Sequence, residues 1–323
     1  MKNNDIRLGV SLYSFSTEFI HEKLDLEQLL QKARDMGYKG VEIVAAQMVP
    51  EYPYPSDEWL DWFRGKLEEY ELEPVCWSAY IDMGIRSDRD LTEDEIIRFT
   101  LNDLMYAKRA GFRLVRTQHA ISPAIYRKMI PVCRELGMTL AIEMHHPHHP
   151  EVPVWKEYLE LMKGEGKGVL GIVPDFSIFQ TLPHKLYLDQ AISFGCRREK
   201  LAEIIEIHKA GGSEAALEGK GFNDIELHTA REMFGKFSAP ARIEQLKDLI
   251  PCTPYIHGKF YYLENDEHDP CIPFEELLAE LKRLGYKGYI ASEYEGHHFD
   301  ETVDSAEQLE RFVSMCGKIL ERD

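Results

Sequence analysis

A closed (β/α)8 barrel, the TIM barrel, is the fold this sequence predicts, on three observations. One helix-to-strand junction recurs four times along the chain. Eight apolar, strand-like runs alternate with amphipathic, helix-like segments. No Pro-rich linker and no block of successive strands interrupts that alternation. The length of 323 residues suits two average domains, but α/β barrels hold as much in one. The expected organisation is a single barrel domain over residues 1–323, with an open doubly wound sheet as the alternative.

The junction reads Asp35-Met-Gly-Tyr-Lys-Gly-Val-Glu-Ile-Val, Arg109-Ala-Gly-Phe-Arg-Leu-Val-Arg, Glu135-Leu-Gly-Met-Thr-Leu-Ala-Ile-Glu and Arg283-Leu-Gly-Tyr-Lys-Gly-Tyr-Ile-Ala. In each, a glycine follows a helix-like segment, where a positive φ ends the helix without a Cβ clash. The strands are then expected at Ile6–Tyr13, Gly40–Val44, Glu73–Ala79, Arg113–Thr117, Thr139–Met144, Val169–Asp175, Pro254–Phe260 and Gly288–Glu293.

Helices fill the gaps. Leu24–Met36 sets Leu26, Leu29, Leu30 and Ala33 on one face. Ser56 to Glu58 caps the next helix, and Thr92 to Glu95 forms a capping box before Ile96–Ala110. Phe274–Leu284 and Ala306–Leu320 complete the pattern. One span exceeds a single crossover helix: an insertion at about 181–250, between strands six and seven. It holds helix-like segments at Arg198–Ala210, Asp224–Phe234 and Pro240–Ile250. Barrel insertions emerge on the active-site face, so a lid or a partner-docking element is expected.

Composition narrows the function. The net charge of −18 disfavours sequence-independent nucleic-acid binding. None of the six cysteines forms a C-x-x-C, which suits reduced thiols. The N-terminus has no signal-peptide core, and no run reaches the ~20 apolar residues of a membrane span. A soluble, cytoplasmic protein acting on a small molecule is expected.

The chemistry lies at the ends of the last four strands. Met138 to His149 runs MTLAIEMHHPHH, an apolar strand ending in Glu143 and His145 on one face. Strand six ends in Asp175, strand seven carries His257, and strand eight ends in Glu293. Charged groups at the ends of apolar strands are costly unless paired or metal-bound. In a barrel, all four would aim at one point on the catalytic face. Three carboxylates and one imidazole suit a divalent cation: Mn²⁺ first, with Mg²⁺, Co²⁺ or Zn²⁺ as alternatives. His145 is the candidate general acid or base, since an imidazole ordinarily titrates near neutrality. Lys259, on the face of His257, is a candidate to hold an oxyanion or a sugar oxygen. The loops after strands seven and eight are acidic, which favours an unphosphorylated substrate.

The order Glu143, Asp175, His257, Glu293, with Gly40-Val-Glu-Ile43 and the pair His257-x-Lys259, resembles the xylose-isomerase-like (sugar phosphate isomerase/epimerase) superfamily. The resemblance covers nearly the whole chain. One departure is Phe260, where members commonly carry an aspartate. Within that superfamily, Glu143-x-His145, the insertion, and aromatics such as Tyr13, Phe15, Trp77, Tyr80, Phe176, Phe179 and Tyr294 look like the larger, catalytic subunit of bacterial C-glycoside deglycosidases. That resemblance implies Mn²⁺, a 3-oxo-C-glycoside substrate, and a small β-rich partner subunit in a higher hetero-oligomer. It also implies cleavage of the C1–C(aryl) bond, with Glu143, Asp175, His257 and Glu293 on the metal and Glu143, His145 and Lys259 in catalysis. A ketose epimerase or isomerase, or an inosose-type dehydratase, is the alternative, because it uses the same grip.

Overall fold

The computed structural model describes residues 6–118 and 121–322. The expected span of 1–323 therefore includes residues 1–5, 119, 120 and 323, which lie outside the described residues. Eight parallel strands form one sheet: β1 (Arg7–Ser11), β2 (Gly40–Val44), β3 (Glu73–Ser78), β4 (Leu114–Thr117), β5 (Thr139–Met144), β6 (Leu170–Pro174), β7 (Tyr255–Phe260) and β8 (Tyr289–Tyr294). Their order is β6-β5-β4-β3-β2-β1-β8-β7. The seam between β6 and β7 is closed by a parallel bridge from Asp175 to His257. The result is a (β/α)8 TIM barrel.

The four junction glycines do what their position requires. Gly37, Gly111, Gly137 and Gly285 have φ of +88°, +96°, +65° and +70°, values that cost a residue with a Cβ about 1 kcal/mol or more. The helices begin at defined caps. Asp25 and Gln28 form a capping box for Leu26–Asp35, and Thr92 and Glu95 form one for Glu93–Arg109. Ser56 accepts from Trp59 N ahead of Asp57–Glu69.

Two cores result from the period-two alternation of the strands. Outward residues such as Val41, Ile43, Trp77, Val115, Ile142, Ile172, Ile256 and Ile290 meet the surrounding helices. Inward residues Cys76, Leu114, Ala141, Val173, Tyr255, Tyr289 and Ala291 pack the lumen as an apolar plug. Continuing two residues along the same strands replaces apolar side chains with charged ones. Arg116 follows Leu114, Glu143 follows Ala141, Asp175 follows Val173, His257 follows Tyr255, and Glu293 follows Ala291. The plug is thus the floor on which a charged layer stands.

The insertion has a small core of its own, with Ala191, Cys196, Leu201, Ile204, Leu217, Ala230, Met233 and Phe237. Its helices are Lys185–Ser193, Arg198–Lys209 and Asp224–Phe237. The continuous helix expected at Pro240–Ile250 is replaced by single turns at Ile243–Gln245, Leu246–Leu249 and Ile250–Cys252. Ala241 N donates to Ile178 O at 2.7 Å, which pins the entry of this segment to the barrel. Pro251 then removes the donor a continuing helix needs. No helix among the described residues is long and apolar enough to cross a membrane. The six cysteines are free, and all but Cys252 are buried.

Candidate metal centre

β5, the residue after β6, β7 and β8 bring Glu143, Asp175, His257 and Glu293 together. One ligand atom from each lies within 4.8 Å of the other three. His257 Nδ1 is 2.7 Å from Glu143 Oε1, 3.2 Å from Glu293 Oε2 and 4.0 Å from Asp175 Oδ2. The four side chains are almost wholly buried. His257 was expected at the carboxyl end of its strand, but it is the third of the six residues of β7. Tilted barrel strands are staggered against one another, and the Asp175–His257 bridge sets the middle of β7 level with the end of β6.

Two buried oxygens of this group, Asp175 Oδ2 and Glu293 Oε2, accept no well-formed hydrogen bond and are met by ion-pair contacts, Lys259 Nζ at 3.6 and 2.9 Å and, for Glu293, His257 Nδ1 at 3.2 Å. Buried carboxylate oxygens left incompletely hydrogen-bonded cost free energy that a cation would recover. Three carboxylates and an imidazole fit a hard divalent ion. The donor set therefore could hold a metal through Glu143, Asp175, His257 Nδ1 and Glu293.

The electrostatics agree with a cation-binding nest. Burial alone would lower the His257 pKa, but Glu293, Glu42 and Glu143 outweigh it and hold the ring charged well above its ordinary range. A bound cation would take the place of the Nδ1 proton. Burial and the neighbouring carboxylates Glu293 and Glu143 drive Asp175 upward, with Lys259 opposing them. Burial pushes Glu143 upward too, but Arg116 and His257 prevail and keep it ionised. Glu293 is held low in the same way by His257 and Lys259.

Three supporting residues were not singled out from the sequence. Glu42, on β2, is fully buried, and His257 Nε2–H donates to its Oε2 at 2.6 Å. Arg116, on β4, donates to Glu143 Oε2 at 2.7 Å and to Glu42 Oε1 at 3.1 Å. Glu295 accepts from Lys259 Nζ at 2.9 Å. For Glu42 and Arg116 the signal was present, since each is a charge inside an apolar strand. For Glu295 it was the two-residue step from Glu293.

The layer opens into a cavity of about 570 Å³. His145, just past β5, lines it. Its Nδ1–H donates to the His146 carbonyl oxygen at 2.7 Å. Lys259 Nζ lies 2.9 Å from Glu293 Oε2 and 3.6 Å from Asp175 Oδ2. Burial opposes its charge, but Glu293, Glu295 and Asp175 overcome that and keep it protonated. Of the aromatics proposed for the mouth, Tyr13 and Tyr80 line the cavity. Phe15, Trp77, Phe176, Phe179 and Tyr294 are buried in the core.

Comparison with known proteins agrees with this geometry. Residues 30–315 match the family model described as "Xylose isomerase-like TIM barrel". A Microbacterium protein named 3'-dehydrocarminate deglycosidase alpha subunit is 30% identical over 321 residues, covering 94% of this chain and 92% of that one. An Arthrobacter globiformis C-glycoside deglycosidase alpha subunit is 27% identical, covering 92% of this chain and 86% of its own. A solved D-psicose 3-epimerase superposes with a TM-score of 0.58 at 11% identity, covering 98% of this chain and 100% of the other; at that identity the likeness concerns the fold. Two of the relatives it matches are named deglycosidase alpha subunits, and the chain belongs to the xylose isomerase-like TIM barrel family.

Proposed function

We propose that the protein is the catalytic subunit of a metal-dependent C-glycoside deglycosidase, cleaving the C1–C(aryl) bond of a 3-oxo-C-glycoside. The observation that carries this reading is the convergence of Glu143, Asp175, His257 and Glu293 beside His145, in a chain 30% identical to a deglycosidase alpha subunit. Those four would hold the ion, with Mn²⁺ the first candidate and Mg²⁺, Co²⁺ or Zn²⁺ as alternatives. When bound, a divalent cation supplies Lewis-acid polarisation of the ketone.

The chain's own residues supply the proton transfers. The 3-ketone acidifies the C2 proton, which passes to the Glu143 carboxylate. The electron pair released at C2 forms the C1–C2 double bond as the C1–C(aryl) bond breaks. His145 delivers a proton to the departing aryl carbon, or relays it from a phenol. Lys259, kept cationic by its carboxylates, steadies the oxygen that becomes negative. The products are the free aglycone and an unsaturated 3-oxo sugar, so atoms and charge balance.

Because the relatives are named alpha subunits, a second subunit is expected, small and β-rich, in a hetero-oligomer. We place the assembly in the cytoplasm, with a small-molecule glycoside as substrate and no nucleic acid or membrane involved. The residues from 1 to 323 would act as one domain, with the segment at about 181–250 as lid or docking element.

The test is release of aglycone from a 3-oxo-C-glucoside by the full chain with Mn²⁺ and its partner. Glu143→Gln is expected to abolish it, and His145→Ala to slow it by about 10²- to 10⁴-fold. Full activity in both variants would overturn the reading. Conversion of a free ketose or an inosose in place of cleavage would establish the alternative, an epimerase, isomerase or dehydratase on an unphosphorylated sugar.

A further inference from the structure

Three cationic side chains among the described residues line the cavity: Arg116, Lys259 and Lys236. Arg116 is committed to Glu42 and Glu143, and Lys259 to Glu293 and Glu295. Lys236 has no ion pair and no side-chain hydrogen bond among the described residues. Its ammonium lies 5.7 Å from the Phe237 ring centroid. It is half-buried, and burial lowers its pKa from the ordinary lysine value, with Glu295 and Glu232 opposing that shift from beyond ion-pair distance and Lys259 adding to it.

The position of Lys236 is built, not incidental. It stands in the last turn of the insertion helix Asp224–Phe237. The backbone carbonyl of Lys236 accepts from His146 Nε2–H at 2.6 Å. The His146 and Phe237 rings lie 6.1 Å apart. The end of the insertion is thereby fastened to the loop that follows Glu143 and carries His145. The same fastening sets the Lys236 side chain on the wall of the cavity. A half-buried lysine with no carboxylate in ion-pair contact among the described residues, on the wall of the cavity, matches an anionic oxygen brought in by the ligand.

We propose that Lys236 is a specificity-determining residue that recognises an ionised oxygen, phenolate or carboxylate, on the aryl group of the substrate. This rests on the deglycosidase reading above and extends it. The insertion then contributes to the chemistry by supplying the cation that distinguishes an acidic aglycone from a neutral one.

The experiment is calorimetric titration of the full chain, loaded with Mn²⁺, with a C-glucosyl dihydroxybenzoate and with its methyl ester. Both probes are left unoxidised at C3, so no bond can break. Wild type is expected to prefer the carboxylate. Lys236→Met should weaken carboxylate binding roughly ten- to a hundredfold, as for loss of a charged hydrogen bond, and ester binding less than about twofold. Lys236→Arg should restore most of the preference. Equal losses for both probes would make Lys236 merely structural, and no loss for either would place the anion elsewhere; each overturns the proposal. So would borohydride trapping of a 3-oxo sugar on Lys236, since a lysine acting as nucleophile is a different role. Failure of wild type to cleave a 3-oxo-C-glucoside would sink the deglycosidase reading and leave this binding result standing apart from it.

Discussion

His257 and Glu42 face each other across the lumen, with Nε2–H donating to Oε2 at 2.6 Å. Tyr255 Oη lies 2.9 Å from the same nitrogen. The pair fixes which ring nitrogen points at the carboxylates of β5 and β8. A carboxylate behind a ligating histidine orients the ring and raises its basicity.

Glu42→Gln should therefore keep the fold and lose metal affinity, by about ten- to a hundredfold. Competition for Mn²⁺ against a chelator of known affinity measures it. Unchanged affinity would mean that Glu42 serves only its ion pair with Arg116.

Removal of metal should be visible in stability. Asp175 Oδ2 and Glu293 Oε2 have ion-pair contacts but no well-formed hydrogen bond in the buried cluster, so a bound ion relieves their burial as well as adding its own binding. By linkage, Mn²⁺ at a hundred times its dissociation constant should add about 3 kcal/mol. Thermal melts of chelator-stripped protein, with and without Mn²⁺, should show a rise in Tm of several degrees. Asp175→Asn and Glu293→Gln should abolish most of that rise.

His145→Ala separates chemistry from metal binding. His145 lines the cavity without belonging to the four-residue cluster. The variant should bind Mn²⁺ as wild type does and lose about 10²- to 10⁴-fold in kcat, the usual range for a lost general acid. Loss of metal affinity in parallel would reassign it as a ligand.

His184 predicts a pH response in the insertion. Its Nδ1 accepts from Tyr187 N at 3.2 Å, and its ring stacks on Tyr261 with centroids 4.2 Å apart. Burial, with a smaller contribution from Lys236, pushes the imidazole down to about 3. A depressed histidine contributes stability above its unfolded value of about 6.5, and that stability is lost as pH falls toward 3. At pH 5 the loss is about 2 kcal/mol. Hydrogen-exchange protection in Lys185–Ser193, corrected for the intrinsic rate that itself slows on acidification, should fall by roughly thirtyfold between pH 7 and pH 5. In His184→Asn, which keeps a capping acceptor without titrating, the corrected protection should not change between the two pH values.

The barrel was legible because its cause is local. Gly37, Gly111, Gly137 and Gly285 each end a helix by the same backbone turn, and the strand bounds follow within about two residues. Glu143, Asp175, His257 and Glu293 were legible because each is a charge in an apolar run, which a fold tolerates only with a partner. Glu42 and Arg116 carried that same signal, but a pair of opposite charges in the lumen neutralises itself and does not announce a ligand. Lys236 had no local signal. It sits on an amphipathic helix of an insertion, and only the contact of its carbonyl with His146 brings it to the cavity. The height of His257 within β7 was misplaced for a related reason, since stagger between strands is a property of the closed barrel and not of any one strand.

The most direct test of the central claim is anomalous scattering from crystals of the full chain grown with Mn²⁺, recorded on both sides of the manganese absorption edge. One strong peak is expected, enclosed by Glu143, Asp175, His257 Nδ1 and Glu293, with His257 still held by Glu42. A peak elsewhere on the molecule, or none with these four side chains ordered as they are here, would contradict it.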